Sequence, residues 1–93
     1  MIVGVLFLEI FFPQSHSLKE KRKRILRLRN RVREKYNVAF AELDHHDKWQ
    51  RSKIGIVTLN NDRGLIESMF NRILDEAEAS IDGEIINSEI QYF

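Results

Sequence analysis

The apolar residues of the chain fall into six segments, and their spacing predicts four strands and two helices. An almost continuous apolar run predicts a long strand at Ile2 to Phe12, apolar on both faces except at Glu9. Further strands are predicted at Val38 to Asp44, Lys53 to Leu59 and Glu84 to Phe93. A strand that is apolar on both faces is expected to be covered on both.

Two segments repeat their apolar residues with the period of an amphipathic helix. The first begins at Ser17, which forms a predicted capping box with Glu20, and ends at Tyr36. The second runs from Arg63 to about Ser80. The predicted apolar stripes are Ile25, Leu28, Val32 and Tyr36 in the first helix and Ile66, Met69, Phe70, Ile73, Leu74 and Ala77 in the second.

The order of these elements, β-α-β-β-α-β, predicts a fold of the α+β class. Two interleaved right-handed crossovers of this kind give a ferredoxin-like arrangement, in which a four-stranded antiparallel sheet carries two helices on one face. The chain has 93 residues and no internal repeat or linker, so residues 1–93 are expected to form a single domain. The opposite sheet face would stay uncovered, and its surplus apolar surface predicts a homodimer through that open face.

The first helix has an unusual charge. Its residues 18–36 include ten of the fifteen lysines and arginines of the chain and two acidic residues, giving a net charge of +8. Like charges four residues apart, such as Lys23 and Arg27, each cost roughly 0.2–0.5 kcal/mol. Three further residues, Lys21, Arg22 and Arg29, are expected to flank the apolar stripe with their charged heads in water. A sequence selected only for helix stability would scatter its charges differently.

Two explanations of this charge stay open. Residues 1–61 carry a net charge of +7 and residues 62–93 a net charge of −6, which favours either an anionic partner or neutralisation within the protein or its oligomer. In the first case the helix would bind structured RNA, such as ribosomal RNA, through phosphate contacts with little base specificity. The predicted nucleic-acid-binding residues are Lys19, Lys23, Arg24, Arg27 and Arg31. In the second case the chain would be a protein-binding or structural homodimer.

Trp49 and Arg51 lie between a polar loop and the third predicted strand, and they form a second candidate contact. The single tryptophan of the chain either packs its ring inside the protein or stacks on a base or a partner's arginine. Packing is favoured, because Ala39, Ala41 and Gly55 leave room for an indole. Base stacking on the sheet itself is disfavoured, because the third strand lacks the aromatic residues that RNA-recognition motifs place there.

No arrangement of residues in the sequence predicts catalysis, and no cofactor is expected. The cluster from Asp44 to Asp47 contains metal-capable groups, but a metal site needs three or four converging ligands, so a polar loop is the favoured interpretation. The free N–H groups near Ser15 to Ser17 are a weaker candidate for anion binding. The chain has no cysteine, no predicted membrane contact and no signal-peptide pattern in its apolar start, so a cytoplasmic location is expected.

Three motifs resemble a known family. They are S-L-K-E-K-R at Ser17–Arg22, D-H-H-D-x-W-Q-R at Asp44–Arg51 and N-D-R at Asn61–Arg63, and together with the opening M-I-V-G-V-L they resemble the YlxP-like bacterial family. The resemblance implies a small ferredoxin-like protein of unknown function, encoded in some bacteria among translation and ribosome-assembly genes. The resemblance implies no catalytic residues. It supports an association with RNA or the ribosome only through that genomic context.

Overall fold

The computed structural model describes all 93 residues and contains six regular elements in the predicted order. Strands β1, β2, β3 and β4 span Ile2–Phe11, Ala39–Asp44, Arg51–Asn60 and Glu84–Tyr92, and helices α1 and α2 span Leu18–Lys35 and Arg63–Ser80. The strands form one antiparallel sheet in the order β2-β3-β1-β4. The predicted ferredoxin-like α+β fold is therefore confirmed.

Strand β1 is central in the sheet, and its two faces have different surroundings. Leu6, Leu8 and Ile10 are fully buried on the face that the helices cover. Side chains of the opposite face, such as Val5 and Phe7, are only half-buried. Both helices lie on the same side of the sheet, as the predicted fold requires, so the covering of the other face by a second copy stays a prediction.

The core lies between the sheet and the helices and takes the predicted stripe of each helix. It consists of Leu6, Leu8, Ile10, Phe12, Ile25, Leu28, Val32, Ile54, Ile56, Ile66, Phe70, Ile73 and Ala77. Gly4 allows α2 to approach β1, since a Cβ there would lie 2.5 Å from Cγ2 of Ile66. No helix in the structure is both long enough and apolar enough to span a membrane.

Polar side chains fix the start of each helix. Ser17 Oγ accepts a hydrogen bond from the N–H of Glu20 at 3.1 Å, as the predicted capping box requires. The Glu20 carboxylate accepts a hydrogen bond from the N–H of His16, whereas a capping box would have it accept from the N–H of Ser17. Asp62 caps α2 by accepting from the N–H groups of Gly64 and Leu65. These bonds satisfy N–H groups that have no partner inside a helix.

One strand boundary differs from its prediction in a way that matters for the candidate site. Strand β3 begins at Arg51 rather than at Lys53, because the long strand β1 extends the pairing to Ile10 with Ser52 and Phe11 with Arg51. The loop between β2 and β3 is correspondingly short, from His45 to Gln50. Trp49 is therefore held two residues from a paired strand.

Candidate nucleic-acid interface

The outer face of α1 carries a row of exposed cations. Lys19, Lys23, Arg27 and Arg31 are spaced four residues apart, so they lie along one side of the helix. All four are exposed, and none forms an ion pair within the chain. We call these four residues the basic row. The structure thus brings together four of the five residues predicted to bind nucleic acid.

The fifth predicted residue, Arg24, has a different environment. Its side chain is 19% exposed, and Nη2 lies 3.2 Å from Oδ2 of Asp82 in the turn after α2. Arg24 also lines a surface cleft of about 170 Å³, together with Arg27, Arg31 and the residues 80–82. The charge of Arg24 is therefore less available to a partner than the charge of each residue in the basic row.

Neutralisation of α1 by the acidic second half of the chain is partial. Besides Arg24, one basic residue of α1 contacts that half: Lys35 Nζ lies 3.4 Å from Oε1 of Glu76. The same oxygen accepts from the hydroxyl of Tyr36 at 3.0 Å, and burial together with this bond raises the pKa of Tyr36. The basic residues of α1 without an ion pair are Lys19, Arg22, Lys23, Arg27, Arg29, Arg31 and Arg33. Most of the charge of α1 is therefore available to a partner.

Lys21 is fully buried, so the prediction that its charged head reaches water is wrong. Its Nζ lies 3.0 Å from Oε2 of Glu42 on β2. The same nitrogen donates to the carbonyl oxygens of His45 at 2.6 Å and Arg51 at 3.1 Å. An ammonium group has three N–H donors, and these three acceptors match them in number. Lys21 therefore joins α1 to both ends of the loop between β2 and β3.

Glu42 and Ser52 complete this buried connection, which we call the Lys21 anchor. The hydroxyl of Ser52 donates to Oε2 of Glu42 at 2.7 Å, and Ser52 is almost fully buried. A buried charge is tolerated when it is paired and its remaining hydrogen-bonding groups are satisfied. The anchor also joins the segments of two of the sequence motifs, Ser17–Arg22 and Asp44–Arg51, in space.

The residues from His45 to Gln50 form a tight, well-bonded loop. His45 has a φ of 64°, in the left-handed region that histidine adopts more readily than bulkier residues do. Its N–H donates to Oδ1 of Asp44 at 2.7 Å, and this bond, followed by the nearby charges of His45 and Lys53, lowers the pKa of Asp44. Gln50 ties the loop to the turn before α1: its Nε2 donates to the carbonyl oxygen of Pro13 at 3.1 Å.

Trp49 does not pack inside the protein, so the favoured sequence interpretation of this residue is wrong. The residue is 56% exposed. The space above Gly55 is instead occupied by Leu43, whose Cδ1 lies 2.8 Å from the position that a Cβ on Gly55 would take. The indole lines an open surface recess of about 400 Å³ with its neighbours in the chain, residues 47–51. Trp49 is therefore free to contact a ligand.

Arg51, predicted to act beside Trp49, lies next to the indole but is partly engaged. Its side chain is 44% exposed, and Nη2 lies 3.5 Å from Oε2 of Glu9 on the open sheet face. His45 reaches the other oxygen of the same carboxylate, with Nε2 at 3.8 Å. Arg51 therefore lines the recess at Trp49 while its guanidinium is paired on the sheet face.

The weaker candidate sites of the sequence have no support from the geometry. No three side chains of histidine, aspartate and glutamate converge as metal ligands would. The residues considered for anion binding before α1 are occupied: Ser15 is buried, its hydroxyl donates to the carbonyl oxygen of Ser17, and the N–H of His16 is bonded to Glu20. The basic row and the loop that carries Trp49 remain as the candidate interface.

Solved structures with this arrangement of elements include designed and natural proteins. The designed protein Foldit4 is similar to this chain over all of its residues, and the match covers 97% of the Foldit4 chain, with a TM-score of 0.57 and 19% identity. SnoaB, a cofactor-independent oxygenase from Streptomyces nogalater, is similar over 97% of this chain and 90% of the SnoaB chain, with a TM-score of 0.52 and 18% identity. At these identities the likeness supports the fold alone.

Sequence comparisons are more specific. The uncharacterized protein YlxP of Bacillus subtilis (strain 168) is 34% identical over 73 residues, which are 78% of this chain and 79% of that protein. A family model described as protein of unknown function (DUF503) matches residues 3–90. The motifs that resemble the YlxP-like family lie within this range. The chain therefore belongs to the DUF503 family of proteins of unknown function.

Proposed function

We propose that the chain is a small, non-catalytic module that binds structured RNA through the basic row of α1. The observation that carries the proposal is that Lys19, Lys23, Arg27 and Arg31 are exposed on one side of the helix without any acidic partner. Such a row is costly for an isolated helix, because neighbouring like charges repel. A polyanion would remove that cost and would gain the entropy of the counterions that it releases.

The geometry favours contact with an RNA backbone rather than with base edges. Successive cations of the basic row are about 6 Å apart along the helix, and the whole row extends about 18 Å. Lysine and arginine side chains that contact phosphates fix position and orientation but read no sequence. We therefore propose shape-dependent binding to folded RNA in the cytoplasm, with ribosomal RNA as an abundant target of this kind.

The sheet is not proposed as the surface that stacks bases. On its open face β3 presents Lys53, Gly55 and Val57, none of which is aromatic. The ring of Phe7 on β1 already has Nζ of Lys53 at 5.6 Å from its centroid. RNA-recognition motifs instead place exposed aromatic rings on the central strands. The helix is therefore the better candidate in this chain.

The salt dependence of RNA binding tests the proposal. With four or five phosphate contacts, the logarithm of the association constant should fall against the logarithm of salt concentration with a slope of about −3 to −3.5, at roughly −0.7 per contact for single strands, and more steeply where the contacts are to a duplex. Filter binding of a folded RNA at several salt concentrations measures this slope. An association constant that did not change with salt would contradict binding through the basic row.

We also propose that the open sheet face is covered by a second copy of the chain. Four strands of six to ten residues give a face of roughly 600 Å², at the lower end of what each partner buries in a stable complex. On this face the β3 side carries Arg51 and Lys53, and the β4 side carries Glu84 and Glu89. A two-fold axis parallel to the strands would place each basic side over the partner's acidic side.

Phe7→Asp is expected to disrupt this dimer, because it puts a charge in the middle of the apolar face. Light scattering after size exclusion should give about 22 kDa for the unchanged chain, twice its 11.1 kDa, and a smaller mass for the variant. Leu65→Asp is the matched control, since Leu65 is exposed on α2, away from the sheet face. A monomeric mass for the unchanged chain at high micromolar concentration would contradict the proposed dimer.

The protein-binding alternative makes a different use of α1. In that case the unpaired cations would meet acidic surface of a second copy or of another protein, and α1 would become buried on association. The partial neutralisation by Glu76 and Asp82 gives this alternative some support. It predicts that substitutions in the basic row change the mass of the assembly. It also predicts that the unchanged chain binds no RNA, or that the same substitutions do not alter its RNA affinity. Light scattering of the same variants therefore distinguishes the two functions.

A further inference from the structure

We infer that Trp49 stacks on an unpaired base of the RNA whose backbone the basic row contacts. This inference rests on the proposed function. It adds an unpaired base as a second group that the protein binds, and it predicts a preference for RNA with single-stranded nucleotides beside its folded part. Aromatic side chains bind bases of any sequence in this way, because every base has a face that can stack. The structure supplies four observations that support the inference.

The first observation is that the protein holds an exposed indole on a rigid loop. The carbonyl oxygens of His45 and Arg51, one at each end of the loop, accept hydrogen bonds from the buried Lys21. Gln50, directly after Trp49, bonds with its side chain to Pro13 and with its carbonyl oxygen to the N–H of Phe12 at 2.7 Å. These bonds fix the backbone on both sides of Trp49, so the loop loses little freedom on binding. The loop therefore presents Trp49 in a preorganised position.

The second observation is that the indole of Trp49 is not part of the protein core. The residue is more than half exposed, and the space over Gly55 that would admit the indole is filled by Leu43. A tryptophan that is more than half exposed buries less apolar surface than one in the core, so it contributes less to folding. Its position on a rigid loop is therefore better explained by an external contact than by packing.

The third observation is the polarity of the recess around the indole. Its remaining lining residues are Asp47, Lys48, Gln50 and Arg51. Lys48 has no ion pair, so it can contact a phosphate next to a stacked base. Tryptophans at the centre of protein interfaces are instead usually surrounded by well-packed, desolvated contacts. The polar lining favours a nucleotide over a protein partner.

The fourth observation is the position of the recess relative to the basic row. The Lys21 anchor holds the loop against the first turns of α1, and Gln50 holds it against the turn before α1. The basic row begins at Lys19 in those same turns. The recess and the first cation of the basic row therefore lie at the same end of α1, so an RNA that contacts the row there needs to bend around that end of the helix to place an unpaired base on Trp49.

Intrinsic fluorescence tests this inference directly, because Trp49 is the single tryptophan of the chain. Two probes are compared: a blunt RNA hairpin, and the same hairpin with a single-stranded extension of uridines. The extended hairpin should quench the fluorescence and bind more tightly by about 5- to 150-fold, the range expected for one stacked base. Trp49→Ala should abolish this difference and leave affinity for the blunt hairpin unchanged, whereas Trp49→Phe should retain part of it.

The possible results separate this inference from the proposed function. Equal affinity of the unchanged protein for both hairpins, without quenching, would overturn the stacking site and leave RNA binding by α1 intact. Absence of binding to either hairpin would overturn both. A fluorescence change that follows protein concentration without RNA would assign Trp49 to a protein contact and overturn the inference. If Trp49→Ala fails to fold in a urea melt, quenching and the Trp49→Phe variant still decide the result.

Discussion

Lys21→Met is expected to lower the free energy of unfolding by about 3–5 kcal/mol, as typically results from removing one partner of a buried ion pair. The substitution leaves Glu42, whose side chain is 15% exposed, without its counter-charge. It also removes the donor from the carbonyl oxygens of His45 and Arg51. Methionine keeps most of the side-chain volume, so the loss comes from unpaired polar groups rather than from a cavity. For a small domain this is a large part of the total stability.

Urea denaturation followed by circular dichroism measures the effect, with Lys23→Met as the matched control. Lys23 is exposed on the same helix and has no ion pair, so its substitution should change stability by no more than about 0.5 kcal/mol. The double variant Lys21→Met/Glu42→Met should lose less than the two single variants together, because it leaves no buried charge unpaired. Equal denaturation midpoints for Lys21→Met and Lys23→Met would show that the anchor does not stabilise the fold.

The sequence predicts the fold well because local signals and the apolar period agree. The capping box at Ser17 and the Asp62 cap mark where the helices begin, and the stripe of α1 is buried at Ile25, Leu28 and Val32 as predicted. Leu26, which lies off that stripe, is exposed. Each of these features depends on residues close together in the chain, so the sequence contains enough information to derive them.

The spacing of residues in α1 does not predict the Lys21 anchor, although the position of Lys21 is a sign of it. Lys21 is four residues before Ile25 and seven before Leu28, so it falls on the apolar stripe itself. A lysine at such a position usually extends its head to water. Here the head meets Glu42, whose position depends on how β2 lies beside α1. That distant contact cannot be derived from the spacing of residues within the helix.

Trp49 was misjudged for a related reason. The small residues Ala41 and Gly55 do lie opposite one another in the sheet, as a pocket for an indole would require. Leu43 fills that space from the same strand as Ala41, and the loop directs Trp49 outward. Which of two large side chains covers a glycine depends on strand register and loop conformation, and neither is fixed by local sequence.

Reversing three charges of the basic row is expected to lower RNA affinity by a hundredfold or more. Lys23, Arg27 and Arg31 are exposed and unpaired, so the triple substitution to glutamate removes three phosphate contacts and adds three repulsive charges. At roughly 1 kcal/mol or more per lost contact, the loss is about 3 kcal/mol before repulsion is counted. The net charge of residues 18–36 falls from +8 to +2, which reduces repulsion within α1 and should leave its folding intact.

Equilibrium binding of a folded RNA at about 50 mM salt, where phosphate contacts contribute strongly, tests the central claim most directly. The unchanged chain is compared with the triple-glutamate variant and with Lys23→Arg/Arg27→Lys/Arg31→Lys, which keeps every charge at the same positions. We expect the unchanged and charge-preserving proteins to bind within a few-fold of each other and the triple-glutamate variant to lose binding. Equal binding by all three proteins, or no binding by the unchanged chain, would contradict an RNA interface on α1.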